Sequence, residues 1–120
     1  MRSCMRRVEK PWGYELVWAE TGRYVAKVLF IRAGHKLSRQ YHRVKDETLF
    51  VESGELELEI GRETIERHTM KPGDTFHVTP GTVHRMLATQ DVRIFEVSTP
   101  ELKDVVRLED DYGREGTSAP

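Results

Sequence analysis

The feature that most constrains this chain is its punctuation. Glycines, prolines and small polar clusters cut it into apolar runs too short to make a helix. The clearest run is Glu55-Leu56-Glu57-Leu58-Glu59-Ile60, which alternates strictly. Alternation of this kind sends one set of side chains inward and leaves the other wet in an extended strand. Gly61-Arg62 then reads as a compact hairpin turn, with Glu63 to His68 returning beside it. Similar runs are Tyr14 to Trp18, Arg23 to Arg32, Leu37 to His42, Glu47 to Glu52, Thr75 to Val78, Val83 to Thr89 and Val92 to Val97. The turns between them are Thr21-Gly22, Ala33-Gly34-His35, Ser53-Gly54 and Lys71-Pro72-Gly73-Asp74. Roughly ten short strands with no helical period predict an all-β barrel or sandwich. Glu101 to Leu108 reads as a helical turn or a return strand.

One strand is apolar on both sides. Val25, Lys27, Leu29 and Ile31 share one face, and Tyr24, Ala26, Val28 and Phe30 share the other. Such a strand is covered on both faces. In a barrel this small the outer cover is expected to be a second subunit, so a homodimer is predicted.

With 120 residues the chain suits one domain with one core. The net charge of −1 gives no reason to expect nucleic acid or an anionic membrane as partner. The single Cys4 allows no intramolecular disulfide and points to a reducing, cytoplasmic setting. No apolar run approaches the ~20 residues of a membrane-spanning helix. The start, MRSCMRRVEK, is basic but lacks the apolar segment of a secretory signal. The expected division is a flexible basic tail over 1–9, one barrel domain over 10–107 and a C-terminal extension over 108–120, with Gly116 to Pro120 fraying. The Glu55-Glu57-Glu59 row is expected to be a solvated face, and Trp12 and Trp18 to be core or interface aromatics.

The stretch with chemistry in it is Gly34 to Gly54, GHKLSRQYHRVKDETLFVESG. Gln40 and His42 are two apart, so in a strand they project from one face. Glu47 opens the next run and can aim at the same spot, and His84 arrives from Gly73 to His84, GDTFHVTPGTVH. Two imidazoles, a carboxylate and an amide oxygen make a shell for one divalent metal ion. Zinc is the first choice, with Mn, Fe(II), Co and Ni open to the same donors.

These spacings resemble the two cupin motifs. The first reads Gly34, five residues, Gln40-Tyr41-His42, four residues, Glu47, six residues, Gly54; the second reads Gly73, five residues, Thr79-Pro80-Gly81-Thr82-Val83-His84. Gln40 stands where the first motif usually has His, and Pro80 sits one place late. Gln-x-His followed by Glu is similar to the type II phosphomannose isomerase group within the cupins. Further matches are Lys10-Pro11-Trp12-Gly13-Tyr14-Glu15, Arg23-Tyr24, Leu37-Ser38-Arg39-Gln40, Val83-His84-Arg85 and Val106-Arg107-Leu108-Glu109-Asp110, continued by Asp111-Tyr112-Gly113-Arg114.

The resemblance implies a cupin double-stranded β-helix, or jelly-roll barrel. It also implies interconversion of mannose 6-phosphate and fructose 6-phosphate through an enediol, with the metal on Gln40, His42, Glu47 and His84. A metal there could polarise adjacent carbonyl and hydroxyl oxygens, and the substrate phosphate would need cations. Arg85 is the first expectation for that role and Lys27 the second, with Arg32, Arg39 and Arg114 behind them. Strand alternation sets Arg85 on the face opposite His84 unless a bulge re-aims it. No general base stands out; His77 shares a face with Thr75 and Thr79 and could approach the pocket, whereas His35 and His68 sit by turns. The chain has no Gly-rich nucleotide loop, so nucleotidyl transfer is not expected. The alternatives are a non-catalytic metal- and sugar-binding cupin, another metal-dependent cupin enzyme such as a dioxygenase, and a metal-free sugar epimerase.

Overall fold

The computed structural model describes residues 1–117. Its strands in chain order are β1 (Arg6–Lys10), β2 (Gly13–Glu20), β3 (Val25–Ile31), β4 (Arg39–Tyr41), β5 (Glu47–Ser53), β6 (Leu56–Ile60), β7 (Glu66–Met70), β8 (Thr75–Val78), β9 (His84–Ala88), β10 (Val92–Ser98), β11 (Val106–Glu109) and β12 (Gly116–Thr117). They form two six-stranded antiparallel sheets, ordered β1-β2-β3-β10-β5-β8 and β12-β11-β4-β9-β6-β7. The all-β architecture is the one expected from the strand spacing, and the jelly roll is the form that the cupin resemblance implied. No helix among the described residues is long and apolar enough to cross a membrane.

Alternation decides which side chains meet between the sheets. Along β10, Val92, Ile94, Glu96 and Ser98 point inward while Arg93, Phe95 and Val97 point out. Along β3, Val25, Lys27, Leu29 and Ile31 are buried in step. The interior is therefore divided along its length. Leu29, Ile31, Leu49, Val51, Leu56, Leu58, Val92 and Ile94 pack one apolar end. The other end receives Glu15, Lys27, Glu47 and Glu96, all buried. Register makes the division consistent from strand to strand. Lys27 is the Cα partner of Glu96, and Glu47 that of Ser98.

Three local expectations give way. Arg6 to Glu9, read as part of a tail, belongs to a strand that runs on to Lys10: its backbone pairs with β2 from Lys10–Gly13 to Arg6–Val17, and the Arg7 guanidinium lies 3.9 Å from the Tyr14 ring centre. Exposed side chains hid it, because an edge strand needs no apolar face of its own. Glu59, read as solvated, is buried: Arg39 donates to it at 2.6 Å and Arg67 at 3.1 Å. Of the segment expected to fray, Gly116–Thr117 pairs with β11, and residues 118–120 lie outside the described residues. Glu101 to Leu108 resolves into turns followed by the return strand β11.

The Ser53-Gly54 turn needs its glycine. Gly54 has φ of 80°, and a Cβ there would lie 2.2 Å from the Asp91 carbonyl oxygen. Only a residue without a side chain fits that approach, which lets β5 turn away next to β10.

Candidate metal centre

Three elements supply the donors. His42 follows β4, His84 opens β9, and Glu47 opens β5 in the opposite sheet. All three are buried. His42 Nε2 lies 3.2 Å from Glu47 Oε1, and His84 Nε2 lies 3.6 Å from the same oxygen. One ligand atom from each residue falls within 4.8 Å of the others. Donors bound at ~2.0–2.2 Å around one ion lie at comparable separations.

The other ring nitrogens are already engaged. His42 Nδ1 is 2.6 Å from the Asp104 carbonyl oxygen, and His84 Nδ1 is 2.9 Å from that of Thr82. A carbonyl only accepts, so each Nδ1 carries the proton and each Nε2 is left to face the cluster. His84 Nε2 is buried with no hydrogen-bond partner. Glu47 Oε2 also lacks one, although Lys45 Nζ lies 3.2 Å away at ion-pair distance without hydrogen-bond direction. Buried polar atoms are nearly always satisfied, so bare donor atoms on neighbouring groups suit a cation between them. This His-Glu-His set could hold a metal ion.

The electrostatics agree. Burial pushes the His84 imidazole down, against the opposing pull of Glu47, which favours a neutral ring with a free lone pair. Burial would raise the Glu47 carboxyl, but its contact with the His42 ring and the Lys45 charge outweigh it and hold it well below the usual range. The Lys45 ammonium is held above its usual range: burial works against its charge, but Glu96 and Glu47 outweigh it.

The loops carrying these groups are pinned. Asp104 accepts from the backbone N–H groups of Arg43, Val44 and Lys45 at 3.0, 2.6 and 2.8 Å. The Gly81 N–H donates to the His42 carbonyl at 2.7 Å, which draws the second motif's loop onto the first. A narrow cavity open to solvent adjoins the cluster.

Of the four residues expected to bind metal, the structure gathers His42, Glu47 and His84. Gln40 lines the same cavity and is the Cα partner of His84, while its amide oxygen accepts from Ser38 Oγ at 2.7 Å. Lys27 also lines the cavity, paired with Glu15 at 3.1 Å. Arg85 does not. As alternation requires, it turns to the other face of β9, where it donates to the Leu37 carbonyl at 2.9 Å and to Asp111 at 2.8 Å. His77 is exposed and pairs with Asp46, away from the cluster. Sequence reasoning missed Lys45, Glu15, Glu96 and Arg107, which all line the cavity. Glu96 left a signal, a charged residue on the inward period of an apolar strand. Lys45 sits in a connection, where no period operates.

Residues 28–98 match the family described as Cupin domain. The chain is a cupin. It is 29% identical over 116 residues to the xanthan biosynthesis protein XanB of Xanthomonas campestris pv. campestris, a match covering 91% of this chain and 24% of that protein. The cupin thus spans about a quarter of that relative's length. The structure of KdgF from a Halomonas species superposes with a TM-score of 0.69 at 23% identity, covering 82% of this chain and 88% of that one. A sugar phosphate isomerase of the cupin superfamily from Silicibacter pomeroyi superposes with a TM-score of 0.64 at 22% identity, covering 72% of this chain and 58% of that one. At these identities the two structures share the cupin fold with this chain and no more.

Proposed function

We propose that this cupin is a metal-dependent sugar-phosphate aldose–ketose isomerase, of the mannose 6-phosphate to fructose 6-phosphate type. The observation that carries the reading is a His-Glu-His donor set, two of whose members, His42 and Glu47, line the same cavity as Glu96, a carboxylate outside that set. The match to a xanthan biosynthesis protein over 91% of the chain supports sugar chemistry, and the same fold carries a sugar phosphate isomerase in Silicibacter pomeroyi.

The isomerisation breaks a C–H bond at C2 and forms one at C1, while the hydroxyl proton moves from O2 to O1; no net oxidation occurs. Bound at His42, Glu47 and His84, with Gln40 beside them, a divalent ion (zinc first) would supply Lewis acidity toward the neighbouring carbonyl and hydroxyl oxygens. Glu96 takes the proton from C2 and returns it at C1. Burial, then the Glu47 charge, raises its carboxyl, which moves it toward the range a general base needs. Lys45 holds Glu96 at 3.3 Å and Glu47 at 3.2 Å, so it fixes base and metal ligand relative to each other. Lys27 stays in the substrate-binding set, and Arg85 is assigned to the scaffold.

The test mixes zinc-loaded protein with mannose 6-phosphate in heavy water, beside a chelated sample, followed by proton NMR. Fructose 6-phosphate in the loaded tube alone is the expected result, with deuterium at C2 of recovered mannose 6-phosphate. Bound metal and bound sugar without turnover would sink the isomerase and leave a sugar-binding cupin.

We also propose a homodimer. The outer face of the first sheet exposes Trp18, Phe50, Phe95 and Val97, with Phe50 and Phe95 stacked at 5.9 Å. A second copy of the chain would cover this band.

A further inference from the structure

The cavity beside the donor trio is lined by five cationic side chains, Lys10, Lys27, Lys45, Arg107 and Arg114, against three carboxylates, Glu15, Glu47 and Glu96. Two positive charges are in excess. The pairings show where the excess sits. Lys27 is spent on Glu15, and Lys45 on Glu47 and Glu96. Arg114 is tied to Asp110 at 2.9 Å. Lys10 and Arg107 form no salt bridge among the described residues.

Arg107 is the telling member. It is 7% exposed, and its Nε is buried without a partner. A guanidinium cannot shed its charge, so an unpaired one held out of water is waiting for an anion. Burial lowers the Lys10 ammonium, and Lys27, Arg107 and Arg114 push the same way against Glu15. An anion there would relieve that repulsion.

Register gives the spacing. Arg107 is the Cα partner of Gln40, and Gln40 is the Cα partner of His84. The three lie side by side on β11, β4 and β9. Two strand spacings, about 10 Å, separate the backbones of Arg107 and His84.

We propose that Lys10 and Arg107, with Arg114 beside them, form an oxyanion site that takes the phosphate monoester of a substrate whose other end reaches His42, Glu47 and His84. The choice of phosphate rests on the isomerase reading; the site itself rests on charge and burial. A phosphate dianion matches the two cations left without a salt bridge, Lys10 and Arg107, and the arginine fork can meet two of its oxygens at once.

The test separates the site from the reaction. Inorganic phosphate is titrated by calorimetry into chelated protein, so that no metal can bind it. Wild type, Arg107→Gln, Arg107→Lys and Lys10→Gln are compared, with thermal melts to verify folding and zinc titrations as control. Expected are phosphate binding by chelated wild type, weakening of at least about tenfold in Arg107→Gln and in Lys10→Gln, an intermediate loss in Arg107→Lys, and unchanged zinc affinity. Should Arg107→Gln fail to fold, Lys10→Gln on the edge strand decides the question. Absence of phosphate binding in chelated wild type, or equal binding by the variants, would overturn the site. Tighter binding of glucuronate than of phosphate would overturn the phosphate assignment in favour of a carboxylate. Phosphate binding without turnover of mannose 6-phosphate would leave the site standing and remove the isomerase.

Discussion

His84 has one ring nitrogen bonded to a backbone carbonyl and the other bare in a buried place. Burial depresses its protonation in the folded chain. The unfolded chain has no such restraint and takes up a proton near pH ~6.5. As pH falls below that value the unfolded state binds protons that the folded state refuses, so stability falls. Glu47, held well below its usual range, acts in the same direction at lower pH, below about 4.5. Glu96 is raised and acts oppositely, gaining stability as pH falls through its folded value. The histidine contribution is therefore isolated by difference. Melting of metal-free wild type should fall more steeply than that of His84→Gln between pH 6.5 and 5, since Glu96 and Glu47 are present in both. Parallel curves would mean His84 protonates as freely inside the fold as outside it.

At the scale of strands, charge is used as internal bracing. Arg39 on β4 reaches Glu59 on β6, Glu109 on β11 and the Gly61 carbonyl. Arg85 on β9 reaches Asp111 and the Leu37 carbonyl. Removing one partner of a buried pair strands the other, so Glu59→Ala should cost about 3 kcal/mol in urea denaturation; a loss under about 1 kcal/mol would show that Glu109 alone can hold Arg39. This bracing also sets what could be read from the sequence. His42 and Glu47 were legible because local spacing and the flanking glycines place them, and His84 because its stretch resembles the second cupin motif. Glu59 was misread because alternation gives the face and not what lies upon it: the β4 arginine that covers it is 20 residues away. Arg107 and Lys10 were invisible as a pair, since only the return of β11 beside β4 brings the C-terminal arginine to the first lysine's cavity. Arg85 shows the reverse case, where strand period outranked motif proximity.

For the whole molecule, the two sheets have unlike outer faces. The first carries the exposed aromatic band around Phe95, whose neighbours across register are Phe50 and Val28. This band is the face that the proposed second copy would cover. Light scattering after gel filtration should give a dimer for the wild type and a monomer for Phe95→Asp, with the far-ultraviolet spectrum unchanged. A wild type that runs as a monomer at tens of micromolar would remove the second copy from this face.

The donor trio draws on both halves of the barrel, since His42 follows β4 and His84 opens β9 in one sheet while Glu47 opens β5 in the other. An ion gripped by all three is thus a clasp across the seam. The two walls can breathe apart only by breaking its bonds, and the amides of strands flanking the clasp report that opening through hydrogen exchange. Added zinc should slow exchange along β5 as well as along β4 and β9. Protection confined to one wall would mean the clasp is fastened on that side alone.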